Sequence, residues 1–194
     1  MRILAISGSL RTGSSNTMLL RAAVALAPQA FEVSVYDGLA TLPHFNPDQD
    51  NEAAPPPVVD FRSQLHASDG VLISSPEYAH GVPGVLKNAL DWVVASGELY
   101  GKPVALLNAS PRSVHAQASL KETLTVVTAN LIPEASITVS LRSNKVDEAS
   151  IISDPGISHA LRSALEAFGR AIDLLRANAG NGMRSETGAS ALTS

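Results

Sequence analysis

The chain has 194 residues, 14 basic and 18 acidic side chains for a net charge of −4, an apolar fraction of 45%, and no cysteine. That length suits one domain with a sizeable core, and the mild acidity gives no electrostatic reason to expect nucleic acid or an anionic membrane as a partner. Without cysteine there are no disulfides, no thiolate metal sites and no cysteine nucleophile.

Apolar runs of strand length alternate with segments of helical period. The first strand is expected at Arg2–Ser7, followed by a helix at Ser15–Ala27 with Leu19, Leu20, Ala23, Val24 and Ala27 on one face. A second strand is expected at Phe31–Tyr36, where Phe31, Val33 and Val35 alternate. Residues Asp37–Pro57 are rich in Pro, Asp and Asn and read as a loop. A short helix at Val58–Ser68 leads to a third strand at Gly70–Ser74, then to a Pro/Gly loop and a helix beginning near Pro83. The fourth strand is expected at Pro103–Asn108, the next helix at Ser113–Asn130, the fifth strand at Ala135–Val139 and the last helix at Ile157–Ala177. Residues 178–194 hold mostly Gly, Ser, Asn and Thr with little to bury, so a disordered tail is expected there. Four apolar residues before Ser7 are too few for a secretory leader, and no apolar run approaches the roughly 18 residues of a membrane span. A cytoplasmic protein without membrane contact is the expectation.

Five strands alternating with helices, with no repeat and no linker, imply one α/β domain over residues 1–177: a doubly wound parallel sheet with helices on both faces. Right-handed crossovers favour the strand order 2-1-3-4-5. In that order the chain reverses between strands one and three, and ligands bind in the crevice at the carboxyl ends there. The loops after strands one, three and four therefore carry the function.

The first loop reads GSLRTGSSN, Gly8 to Asn16. Gly8 suits an unusual backbone angle, and Gly13 removes a side chain from the path. The helix N-terminus behind the loop offers free N–H groups and partial positive charge to a phosphate. Ser9, Thr12, Ser14, Ser15 and Asn16 add hydrogen-bonding groups, and Arg11 adds a charged fork. A nucleoside-triphosphate loop would need Lys where Ser14 stands, and a dinucleotide fingerprint would need Gly where Leu10 stands. The bland alternative is a Ser/Asn helix cap with a solvated arginine.

The third loop reads SSPEYAHGVPGVLKNALDW, Ser74 to Trp92. Pro76 and the pair Pro83/Gly84 set a rigid turn and a helix start. Tyr78 and His80 are either surface residues or part of a wall for a flat heterocycle. Leu86, Leu90, Trp92 and Val93 are either core or a subunit contact, while Lys87 and Asp91 read as a surface pair four apart.

Together the two loops closely resemble the NAD(P)H-dependent FMN reductase family, over about Met1 to Val139. The resemblance implies a flavodoxin-like fold, bound FMN, NADPH or NADH as co-substrate, and a small acceptor such as a quinone, free flavin, an azo compound or a metal oxyanion. It implies that Ser9, Arg11, Ser15 and Asn16 hold the FMN phosphate, with Ser14 beside them in the cofactor-binding set. Pro76, Glu77, Tyr78, His80 and Gly81 would line the ribityl chain and the isoalloxazine edge. No catalytic side chain is implied, because flavin N5 takes the hydride. A homodimer or homotetramer is also implied.

The fourth loop departs from the family pattern. Many relatives carry a glycine-rich turn where this chain has Pro111-Arg112-Ser113-Val114-His115. Ser110 keeps its place in the cofactor-binding set. Arg112 and His115 either meet the flavin, a nicotinamide phosphate or the acceptor, or they cap the following helix and face solvent. His44, His66 and His159 share no metal-ligand spacing, so no metal site is expected. Two other readings stay open from sequence: a flavodoxin-type electron carrier and a flavin-free phosphate-binding enzyme.

Overall fold

The computed structural model describes residues 1–51, 53–141 and 146–189, with side chains as far as Asn178. The strands are β1 (Arg2–Ser7), β2 (Glu32–Tyr36), β3 (Gly70–Ser74), β4 (Pro103–Asn108), β5 (Asn130–Leu131) and β6 (Ile137–Thr138). The helices are α1 (Ser15–Ala25), α2 (Pro56–Ala67), α3 (Gly84–Asp91), α4 (Val114–Val126), α5 (Glu148–Ser153) and α6 (Pro155–Ala189). All strand pairs are parallel, in the order β2-β1-β3-β4-β5, with β6 also on β4. The expected order 2-1-3-4-5 holds.

Both faces of the sheet are covered, so its central strands are apolar at nearly every position. Leu4, Ile6, Val71, Ile73, Val104 and Leu106 face α2, α3 and α4 in one core. Ile3, Ala5, Leu72, Ala105 and Leu107 face α1, α5 and α6 in the other. The alternation along each strand follows from the two-residue period of the pleat.

The fifth position of the sheet is the main correction to the expected elements. It is not one strand at Ala135–Val139 but two short pieces along β4, pairing Pro103 with Asn130 and Leu107 with Ile137. A 3₁₀ turn at Pro133–Ala135 separates them. Pro133 has no N–H to give to a ladder, and the Leu106 N–H beside the break donates instead to Ser136 Oγ at 3.1 Å. The first piece begins at Asn130, the expected last residue of the preceding helix. α4 stops at Val126 because Thr128 turns into a left-handed backbone at φ 58°.

The C-terminal helices also differ from expectation. α5 precedes the last helix, capped by Asp147, whose carboxylate accepts the Ser150 N–H at 2.8 Å. α6 starts at Pro155, with Asp154 Oδ1 accepting from Gly156 and Ile157 N–H at 3.0 Å each. Its backbone stays helical through Ala189, twelve residues past the expected end at Ala177. Among the described side chains, Leu175 is the last of α6 to pack on the core. Residues 190–194 lie outside the described residues.

Trp92 is core rather than a subunit contact. It is fully buried, its indole N–H donates to the Pro43 carbonyl at 2.9 Å, and its ring meets Phe45 edge-on at 5.1 Å. Leu86, Leu90 and Val93 are buried with it, while Val94 is 54% exposed. Lys87 and Asp91 form the expected surface pair, Nζ to Oδ1 at 2.6 Å.

Candidate active site

A cavity of about 510 Å³ opens at the carboxyl ends of β1, β3, β4 and β6. Three loops build most of it: the first between β1 and α1, the second between β3 and α3, the third between β4 and α4. Arg11, Ser14, Ser15 and Asn16 line it from the first loop and the start of α1. Pro76, Glu77 and Tyr78 line it from the second, and Ala109 to Ser113 from the third. Ser140 and Leu141 close it beyond β6.

The loops are fastened to one another by buried polar groups. Asn16 Oδ1 accepts from Ser74 Oγ at 3.1 Å and from the Ala109 N–H at 3.4 Å, which joins the ends of β3 and β4 to α1. Asn16 is buried, so this carbonyl oxygen would be costly to leave unpaired. Ser7 Oγ and Thr17 Oγ1, 2.7 Å apart, fasten β1 to the same helix. Gly8 packs where a Cβ would stand 2.8 Å from Ser75 Oγ and 2.9 Å from Leu86 Cδ2. Close approach, not a left-handed backbone, is what requires glycine there, since its φ is not positive. Gly13 has no such crowding, with only Arg11 Nη2 at 4.0 Å.

Ser14 caps α1, its hydroxyl accepting the Thr17 N–H at 3.5 Å. The Ser15 and Asn16 N–H groups, first in the helix, have no intrahelical acceptor. Arg11 is exposed beside them and makes no ion pair among the described residues. Arg11, Ser14, Ser15 and Asn16, singled out from sequence, are thus brought together on one cavity, whereas Ser9 lies outside its lining. The buried Ser9 hydroxyl accepts the Arg11 N–H at 3.3 Å and lies 3.4 Å from the Tyr78 hydroxyl.

In the second loop, Glu77 turns its carboxylate to α4 and accepts the Ala116 N–H at 2.8 Å. Tyr78 and Gly81 exchange two backbone hydrogen bonds, at 2.9 and 3.1 Å, around Ala79 and His80. Both residues of this tight turn are left-handed, at φ 50° and 60°. For residues with a Cβ that conformation costs free energy, and such strain gathers at functional loops. The His80 ring stacks on His115 at the start of α4, centroids 4.2 Å apart and 12° from parallel. His80, Gly81 and His115 fall outside the cavity lining, whereas Ser110 and Arg112 lie in it.

Sequence reasoning missed Ala109, Pro111, Ser113, Ser140 and Leu141 as lining residues. The first three sit in a loop already singled out. The last two follow β6, which lies within the single strand expected at Ala135–Val139.

Residues 1–143 match the family described as NADPH-dependent FMN reductase. The chain belongs to this family. It is 33% identical over 173 residues to the NAD(P)H-dependent FMN reductase of Pseudomonas aeruginosa, covering 87% of this chain and 93% of that one. It is 32% identical over 183 residues to the quinone reductase of Escherichia coli K12, covering 91% and 97% respectively. Among solved structures it is similar to the flavoenzyme NAD(P)H:(acceptor) oxidoreductase FerB of Paracoccus denitrificans, with 28% identity, a TM-score of 0.77, and coverage of 90% and 97%. The family member described here is thus an oxidoreductase of flavodoxin-like fold that depends on FMN and NAD(P)H.

Proposed function

We propose that the 510 Å³ cavity holds FMN and that the chain reduces small quinones with NAD(P)H. One observation carries the placement: Arg11, Ser14, Ser15 and Asn16, at the N-terminus of α1, line a cavity built by three loops. The volume lies in the range of sites that enclose one cofactor-sized ligand. The donor set fits a phosphate monoester, which needs neither a P-loop lysine nor a magnesium ligand.

When bound, FMN supplies the hydride chemistry between nicotinamide and acceptor. The chain's own residues bind and orient. Arg11 and the α1 amides anchor the phosphate end. Asn16 holds the three loops at fixed spacing through Ser74 and Ala109. Glu77 keeps α4 against the second loop, and Tyr78, 53% exposed, stands at the open side where a planar substrate enters.

Two further points belong to the same reading. The protein works in the cytoplasm, consistent with the absence, among the described residues, of a helix long and apolar enough to cross a membrane. It assembles as a dimer or tetramer, for which light scattering should give at least twice the 20.2 kDa chain mass. The proposal is tested by purifying the full chain and following NAD(P)H oxidation with a quinone and no partner protein. Yellow protein with steady turnover supports it, and colourless protein that gains no activity with added FMN refutes it.

A further inference from the structure

We infer that Arg112 binds a second phosphate, the 2′-phosphate that distinguishes NADPH from NADH, and so sets the nicotinamide preference of this enzyme. The inference rests on the placement of FMN proposed above.

The cavity is lined by two arginines on different loops, Arg11 before α1 and Arg112 before α4. FMN carries a single phosphate, and the first loop already meets it with Arg11, two serine hydroxyls and helix amides. Arg112 is left over. It is exposed and makes no ion pair among the described residues. The carboxylate in the same lining, Glu77, is engaged by the Ala116 N–H.

The backbone that carries Arg112 is fixed before any ligand arrives. Ser110 to Ser113 form a β-turn with Pro111 at its second position, closed by the Ser113 N–H donating to the Ser110 carbonyl at 3.1 Å. Asn108 holds the turn from below. Its Nδ2 donates to the Ser110 carbonyl at 2.7 Å, and its Oδ1 accepts the Ser110 N–H at 3.2 Å. The Arg112 N–H itself donates to Ser110 Oγ at 3.3 Å. A preset turn removes the cost of ordering the backbone on binding, and the planar guanidinium fork matches a phosphate in two-pronged fashion. The ligand chemistry is a dianionic phosphate ester. An anionic acceptor could present the same charge, so the test uses a neutral quinone.

The test measures kcat/KM for NADPH and NADH with neutral benzoquinone, using FMN-loaded full chain, wild type against Arg112→Ala and Arg112→Lys. The alanine variant should lower the NADPH-to-NADH ratio of kcat/KM by about ten- to a hundredfold, chiefly through KM for NADPH, as expected for loss of a charged hydrogen bond. The lysine variant should recover part of that ratio. Inhibition by 2′,5′-ADP should weaken by a similar factor, while inhibition by 5′-AMP should not. An unchanged ratio in protein that retains FMN overturns the inference and leaves the FMN placement standing. Loss of FMN from Arg112→Ala also overturns it, because Arg112 would then belong to the flavin's own site. The FMN placement is tested separately at Arg11.

Discussion

Glu77 and Ala116 are linked across the cavity wall: the carboxylate of the β3–α3 loop accepts the N–H in the first turn of α4 at 2.8 Å. Ser113, at the N-cap position itself, makes no side-chain cap, so a residue from another loop does the capping. The bond satisfies an otherwise unpaired helix donor and places negative charge at the positive end of the helix. Glu77→Ala should cost about 1 kcal/mol, which in a chain of this size lowers Tm by roughly 2–4 °C. Glu77→Gln, which keeps an acceptor oxygen, should recover most of that loss. An alanine variant that melts with wild type would contradict the cap.

The two glycines of the first loop should respond oppositely. Gly8→Ala puts a Cβ within 3 Å of buried Ser75 and Leu86, and overpacking of that kind costs about 1–3 kcal/mol. Gly13→Ala meets only Arg11 Nη2 at 4.0 Å and should be tolerated. Chemical denaturation of both variants checks this; equal losses would show that backbone angle rather than space decides.

Most of the fold is legible in the sequence because the strands of a two-sided parallel sheet are continuous apolar runs, as at Ile3–Ile6 and Val71–Ile73. The broken edge position is not, because Asn130–Leu131 and Ile137–Thr138 are too short for any periodicity. Asp147 and Asp154–Pro155 carry helix-start signals, a capping carboxylate and a proline at the first helical position. At the site, Arg11, Ser14 and Ser15 follow from loop chemistry, while Pro76 and Tyr78 come from the family resemblance. The engagement of Glu77 with Ala116, and of His80 with His115, depends on two loops meeting in space, which no local pattern encodes.

Trp92 should act as a core anchor with no part in assembly. Trp92→Ala removes a fully buried indole and its bond to Pro43, at a cost of about 3–5 kcal/mol. The remaining folded protein should keep the wild-type mass by light scattering. A stable monomer from a multimeric wild type would return Trp92 to the interface.

Asp69 should contribute to the acid limb of stability. Burial acts to raise its pKa, but the Arg2 N–H at 2.6 Å and the Arg176 guanidinium outweigh that and hold it below the usual value. A depressed folded-state pKa gives stability that is present above the unfolded value, near 3.9, and is lost as pH falls through the folded one. Asp69→Asn should therefore be less stable than wild type at pH 7, with the difference shrinking below about pH 4. Urea midpoints measured from pH 3 to 7 check this, and a difference that does not vary with pH contradicts it.

The placement of FMN is tested most directly by titrating apoprotein with FMN and with riboflavin, which differ only in the phosphate. Arg11 stands at the α1 end of the cavity, and a charged hydrogen bond there is worth roughly 1.5–3 kcal/mol. Arg11→Ala should weaken FMN binding about ten- to a hundredfold and leave riboflavin binding nearly unchanged. Equal weakening of both ligands, or of neither, would contradict the assignment of the GSLRTGSSN loop to the flavin phosphate.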